Sequence, residues 1–219
     1  MTWPVGGREP LTRLLVRTKA VIAVVDDATR LPPALPPVMR LQRIIAGAAV
    51  ELGSRARATI GGAVVFDALM AVGDTHEAED YRLTVDADAA LRPDRRAGYA
   101  FTVGGDPARW PVRVEVRLLP GPAYQYPPRT PVVRGSVLEA GPDRHPVADA
   151  VVIASADGGV TVAARCGADG RGDFGLGLPR YRPSRPTSIR ASAPGGAVGD
   201  WRVVDTGDFE RHVQLTVHR

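Results

Sequence analysis

The side chains best suited to chemistry are four histidines, one cysteine and a short acidic run. Of His76, His145, His212 and His218, the last two form the one close pair. They fall on the same face of one predicted strand, six residues apart. At ~3.3 Å per residue that is about 20 Å, too far to share a metal ion. Cys166 follows Val162 and Ala164 on one face of its strand, a face expected to point into a core, where a thiol acts as a small hydrophobe. A nucleophilic thiol needs a neighbouring histidine and an electropositive setting, and no motif here provides either. Asp169, Gly170 and Asp173 lack the further acids and terminal glutamate of a calcium loop. Asp169-Gly170 reads instead as a tight turn, with Arg171-Gly172-Asp173 as part of it. Asp74, Glu77, Glu79 and Asp80 read as a solvated loop, since a glycosidase pair needs a cleft. No nucleophile elbow, phosphate loop or dinucleotide fingerprint occurs. The expectation is a chain with no catalytic residue, no metal ligand and no cofactor.

The remaining candidates are contact residues. Arg180, Arg182, Arg185 and Arg190 surround Tyr181 and two prolines, opposite in sign to Asp74–Asp80. Such patches fit either plain solubility or a head-to-tail contact between subunits, a geometry that can close rings. Sugar recognition uses exposed aromatics, and the tryptophans available are Trp3, Trp110 and Trp201. Trp110 precedes Pro111 in a predicted turn, which makes it the candidate for exposure. Tyr124 and Tyr126 stand in a proline-rich joint and are expected to pack on one domain and set its angle.

The elements that position these residues are strands. Val112, Val114, Val116 and Leu118 alternate with Arg113, Glu115 and Arg117. Val213, Leu215 and Val217 alternate with His212, Gln214 and Thr216, and Tyr81, Leu83, Val85 and Phe174, Leu176, Leu178 follow the same rule. Period-two alternation marks half-buried strands, and a one-sided apolar face needs a facing sheet. Gly (24) and Pro (20) are abundant enough for many short strands joined by turns. The two halves run through a similar order of strand and turn signals, with an aromatic four residues after a turn glycine in each: Gly62 to Phe66 and Gly170 to Phe174. This reads as an internal repeat of about a hundred residues. The predicted layout is an N-terminal arm (1–15), a first sandwich (16–118) with an insertion at 42–57 forming a short helix or loop, a linker (119–131) and a second sandwich (132–219). Residues 118–131 hold five prolines, so the joint is expected to be extended and stiff.

The charge balance excludes one class of partner. The sequence pI is about 9.7, but Lys19 is the one lysine, and the arginine excess accompanies an Ala/Gly/Pro bias. Positions 1–118 carry 16 basic and 14 acidic side chains and positions 119–219 carry 12 and 10, so each half is net +2. A nucleic-acid binder gathers its charge on one face or tail, so nucleic acid is not an expected partner. No stretch approaches the ~20 apolar residues of a membrane helix, and the N-terminus lacks a signal-peptide core. No membrane insertion and a cytoplasmic location are expected, and the single cysteine fits a reducing compartment.

Three segments of the second half carry a family resemblance: Val133-x-Gly135-x-Val137, Pro146-Val147-Ala148-Asp149-Ala150-Val151-Val152, and Asp169-Gly170-Arg171-Gly172-Asp173-Phe174. Over residues ~132–219 it resembles the carboxypeptidase regulatory-like family of transthyretin-like sandwiches. The resemblance implies an antiparallel sandwich of seven or eight strands, without activity of its own, serving as a structural or adhesive module. The first half matches more weakly: Asp26-Asp27 replaces the first glycine-bearing strand turn, and Gly61-Gly62 replaces Asp-Gly. The joint Leu119-Pro120-x-Pro122-x-Tyr124-x-Tyr126-Pro127, followed by Thr130-x-Val132-Val133-Arg134-Gly135-x-Val137, resembles a joint in accessory proteins of phage-tail-like contractile injection particles.

The expected protein is therefore all-β, with two antiparallel transthyretin/Ig-like β-sandwich domains joined by a Pro-rich linker. Its expected role is structural or adaptor, with other protein subunits as partners, in a homo-oligomer or as particle components. The alternatives are a carbohydrate- or surface-binding sandwich module and a hydrolase of transthyretin-like fold. The candidate interaction residues are Tyr124, Tyr126, Arg180, Tyr181, Arg182, Arg185 and Trp110.

Overall fold

Alternating side chains settle as alternating burial. In the last strand Val213, Leu215 and Val217 are buried and His212, Gln214 and Thr216 exposed. The computed structural model describes residues 16–59, 62–72, 77–86, 88–95 and 97–218. The expected arm 1–15 with Trp3, and Gly61, Asp74 and His76, lie outside the described residues. The described chain is all-β, with three short 3-10 turns and no α-helix.

The first half forms β1 (Val16–Thr18), β2 (Ala20–Asp26), β3 (Met39–Ile45), β4 (Ala48–Leu52), β5 (Ala56–Ala58), β6 (Ala63–Phe66), β7 (Met70–Val72), β8 (Glu79–Val85), β9 (Leu91–Pro93), β10 (Tyr99–Val103) and β11 (Val112–Pro120). One sheet has the order β10-β8-β3-β4, a second β5-β6-β2-β11-β9, and β1 pairs with β7. Ile22, Phe66, Leu41, Leu83, Val116 and Leu118 meet in its core. The second half forms β12 (Val132–Glu139), β13 (Val151–Ser155), β14 (Val162–Gly167), β15 (Asp173–Gly177), β16 (Thr187–Ser192), β17 (Arg202–Val204) and β18 (His212–Val217). Its sheets are β15-β12-β18 and β14-β13-β16-β17. Phe174, Leu176, Ile189 and Leu215 fill its core.

The two sandwiches share one strand plan. The order β6-β2-β11 corresponds to β15-β12-β18, and β4-β3-β8-β10 to β14-β13-β16-β17. In each, the first and last long strands pair in parallel within an otherwise antiparallel body, β2 with β11 and β12 with β18. The correspondence reaches single hydrogen bonds. Asp27 N–H donates to the Leu118 carbonyl at 2.9 Å, and Ala140 N–H to the Val217 carbonyl at 2.9 Å.

Two expectations change. Residues 42–57 are neither helix nor extra loop: they complete β3, form β4 and begin β5. They supply the strand that the first half otherwise lacked, the counterpart of β14. Ala46 (φ 50°) and Gly47 (φ 82°) make the two-residue turn with positive φ at both positions that a tight hairpin requires. The strand β11 runs on to Pro120, so the joint between domains is shorter than 119–131, spanning 121–131.

Glycine is required at position 135. A Cβ there would stand 1.9 Å from the Val213 carbonyl oxygen and 2.9 Å from the Phe174 ring. The missing side chain lets that ring lie across β12.

Candidate interaction site

The proline-rich joint is fastened to both domains. Tyr124 Oη donates to Asp26 Oδ2 in the first domain at 2.6 Å. Tyr126 Oη donates to the Gly175 carbonyl in the second at 2.9 Å. The two rings meet edge to face, with centroids 4.8 Å apart. Thus the tyrosines, expected on one domain, divide between the two. The Tyr126 ring lies against Gly177, where a Cβ would come within 2.3 Å of it. Backbone bonds add to this: Gly121 and Ala123 N–H donate to the Ala90 and Ala89 carbonyls, and Leu178 N–H to that of Pro131. Burial and the Asp26 carboxylate push the Tyr124 phenol above its ordinary range, so it stays a donor.

The domains also touch directly, through side chains that the sequence did not single out. Arg165 on β14 binds Asp27, just beyond β2, through Nε to Oδ2 at 2.7 Å and an Nη to Oδ1 at 2.8 Å. The Asp27 side chain is 3% exposed. Burial alone would raise its carboxyl, but the Arg165 hydrogen bonds and charge, helped by Arg30 and Arg117, outweigh it and hold the group below its usual range. A second pair, Arg92 on β9 with Asp149 before β13, runs in the opposite sense, with the cation now on the first domain. Leu119 is buried yet belongs to neither core, and it lies beside Gly167 of β14. Among the described residues, the joint includes two ion pairs, one apolar contact and a tyrosine pair.

Beside it opens a cleft of about 1230 Å³ lined by Asp86, Arg92, Asp94, Arg95, Leu119 and Asp149 among others. Its charged groups are engaged: Asp86 with Arg40, Asp94 with the Tyr99 hydroxyl, Arg92 with Asp149, and Arg95 over the Tyr99 ring.

The other expected residues sit elsewhere. Arg180, Tyr181, Arg182 and Arg185 gather round a shallow depression at the end of β15. Arg180, Arg182 and Arg185 are exposed, but the Tyr181 ring packs edge to face on Phe209 and against the core. Arg190 stacks on Trp201 at 4.4 Å rather than joining the patch. In the acidic run, Glu79 faces inward onto Lys19 at 2.8 Å, Arg43 at 2.9 Å and the Tyr81 hydroxyl at 2.6 Å. The two opposed patches thus each lose a member to internal pairing. Trp110, expected to be exposed, is half-buried: it packs on the first core and donates from Nε1 to the Gly104 carbonyl at 2.8 Å.

Cys166 is fully buried, and desolvation pushes its thiol far up, which disfavours the thiolate. Ala164 packs on the same core, but Val162, expected beside it, is exposed beyond a bulge at Ala154/Ser155. Ser136 Oγ donates to Asp173 Oδ1 at 2.6 Å and lies 2.8 Å from His212 Nε2. A serine nucleophile needs the histidine between hydroxyl and carboxylate. Here the hydroxyl stands between the carboxylate and the imidazole, an order unlike that of a serine nucleophile. His218 lies 3.3 Å from Asp200 and is not part of that cluster.

Neither a family model nor a curated protein matches this chain. Among solved structures, two mutants of the shaft pilin SpaA from Lactobacillus rhamnosus GG align over 93% of this chain and 97–98% of theirs, at 12% identity and a TM-score of 0.32. A likeness at that level transfers no function to this chain.

Proposed function

We propose that this chain is a non-catalytic structural subunit, whose two sandwiches form one rigid body that offers its surfaces to other protein subunits at a fixed spacing and angle. The observation that carries this reading is the joint. Two ion pairs of opposite sense, a shared leucine and a tyrosine pair fasten one domain to the next across 11 residues of linker. A binding module that acts alone gains nothing from a fixed second domain, whereas an assembly needs its spacing set. The order of the Ser136, Asp173 and His212 groups and the burial of Cys166 favour a role without covalent chemistry. Within this reading, the resemblance of the joint to accessory proteins of contractile injection particles makes such a particle the assembly we propose, reached from the cytoplasm. The carboxypeptidase regulatory-like resemblance fits the same role as a structural module.

Small-angle scattering of the full chain tests the rigid body. One compact, narrow interdomain distance distribution is expected. A broad distribution at neutral pH would remove the physical basis for a structural spacer.

A further inference from the structure

An edge strand presents unpaired backbone groups, and stable proteins blunt such edges. Most edges here are blunted. The strands β5, β9 and β17 are three residues long and carry Arg57, Pro93 and Arg202. The strand β10 leans on β11, where Tyr99 Oη donates to the Arg117 carbonyl. Pro122 and Tyr126 lie over β15, and the first domain meets the end of β14 at residues 165–167. The strand β4 differs. It is five residues long and has no proline, and its pairing with β3 is unbroken from Leu41↔Leu52 to Ile45↔Ala48. From Ile44 to Val50 the hairpin has seven successive uncharged residues, with Ile45 50% and Val50 45% exposed. Among the described residues no strand pairs with its outer edge.

The repeat indicates what belongs there. The strand β4 is the counterpart of β14, and the end of β14 at residues 165–167 meets a domain of this same fold, through the end of the first sandwich around Asp27 and Leu119. The equivalent end of the second sandwich is the turn after β12, fixed by the Ala140-to-Val217 bond that matches Asp27-to-Leu118. Residues 140–146 there are exposed. Charge is complementary in the reversed sense. Within the chain, strand β14 offers Arg165 and the turn offers Asp27; between copies, β4 offers the exposed Glu51 and the turn offers the exposed Arg144. We propose that the β3–β4 hairpin docks the second domain of another copy of this chain, so that copies associate head to tail in continuation of the intrachain joint. This rests on the structural-subunit reading and names its partner surface. Such a heterologous contact need not close, so the series can grow.

Sedimentation of the full chain over a concentration series tests it. The parent is expected to form an open-ended series of oligomers, and Val50→Lys to sediment as a monomer with an unchanged circular dichroism spectrum. Glu51→Arg should weaken association, and Arg144→Glu added to it should restore it. Because Val50→Lys keeps its second domain, small amounts of it should cap and shorten parent assemblies. A discrete dimer that the capped variant leaves untouched would mean edge pairing of β4 with β4 and would overturn the head-to-tail contact. A monomeric parent overturns the proposal too. If that monomer binds phosphatidylcholine–phosphatidylglycerol vesicles through Val50, the hairpin belongs to a lipid surface instead. A monomer with a narrow scattering distribution leaves the rigid-body reading standing while this one fails.

Discussion

Arg165 holds Asp27 by two parallel hydrogen bonds of 2.7 and 2.8 Å, joining positions 138 apart in the sequence and lying in different domains. The fork geometry of arginine matches a carboxylate in this way and lysine does not. Arg165→Ala leaves a desolvated carboxylate that keeps its ion pair with Arg30 and the more distant charge of Arg117. Orphaning a buried charge costs about 3–5 kcal/mol, but here the domains can relieve the cost by parting and wetting Asp27. The expected outcome is a wider spread of interdomain distances in scattering, with both cores still folded. Arg165→Lys should recover little, and Asp27→Arg combined with Arg165→Asp should recover much of the parent profile. A parent-like profile for Arg165→Ala would show that the tyrosines and linker suffice alone.

The same pair gives the joint a pH dependence. The Asp27 carboxyl has a lower pKa in the docked protein than when free, so the free state binds more protons as the solution acidifies. The contribution is complete above the ordinary carboxylate pKa of about 4 and is lost as pH falls through the lowered docked value. Glu79, half-buried but held down by Lys19 and Tyr81 and by the Arg43 charge, adds the same sign to the first domain. Scattering at successively lower pH should therefore show an unchanged joint down to about pH 5 and opening below about pH 4. Opening that begins near neutral pH would point to histidine instead.

Core substitutions separate packing from backbone fit. Phe174 is 2% exposed at the centre of the second core, so Phe174→Ala should cost about 3–5 kcal/mol in denaturant unfolding. Gly135→Ala should be worse than its single methyl implies. Its Cβ meets a backbone oxygen at 1.9 Å between parallel strands, so β12 and β18 must separate. A Gly135→Ala protein as stable as the parent would mean that the pairing of these strands is wrong.

Much of the fold was legible because one face of each long strand is buried. The strands β8, β11, β15 and β18 announce themselves by alternation, and both cores contain the residues it marks. The strands β4 and β5 do not alternate: as edge strands they bury almost nothing, and their alanines resemble loop or helix as readily as strand. The joint was legible as proline and tyrosine, but its ion pairs were not. Asp27, Arg92, Asp149 and Arg165 look like surface charges until tertiary structure pairs them. A cue was present in Arg165, a charge between Ala164 and Cys166 in an otherwise apolar strand end, though nothing local names its partner. Trp110 misled because Trp-Pro marks a turn without saying which way the ring faces.

The chain carries its own reporter for each domain. Lys19 is the sole lysine, its side chain 9% exposed and bonded to Glu79 in the first domain. Cys166 is the sole cysteine, buried in the second. An amine reagent should leave Lys19 unmodified in the folded protein, and a thiol reagent should leave Cys166 unmodified, since a desolvated thiol yields little thiolate. Each becomes reactive when its own domain opens. If the joint couples the domains, both sites should become reactive over the same range of denaturant, because loss of one sandwich removes the partner charges and the apolar contact of the other. In a chain carrying Arg92→Ala and Arg165→Ala, the two curves should separate, each domain following its own stability. Tryptic mapping of samples quenched along the denaturant series resolves the two sites. Coincident curves in the double variant would place the coupling in the linker tyrosines, and separate curves in the parent would show two domains that are adjacent but energetically independent.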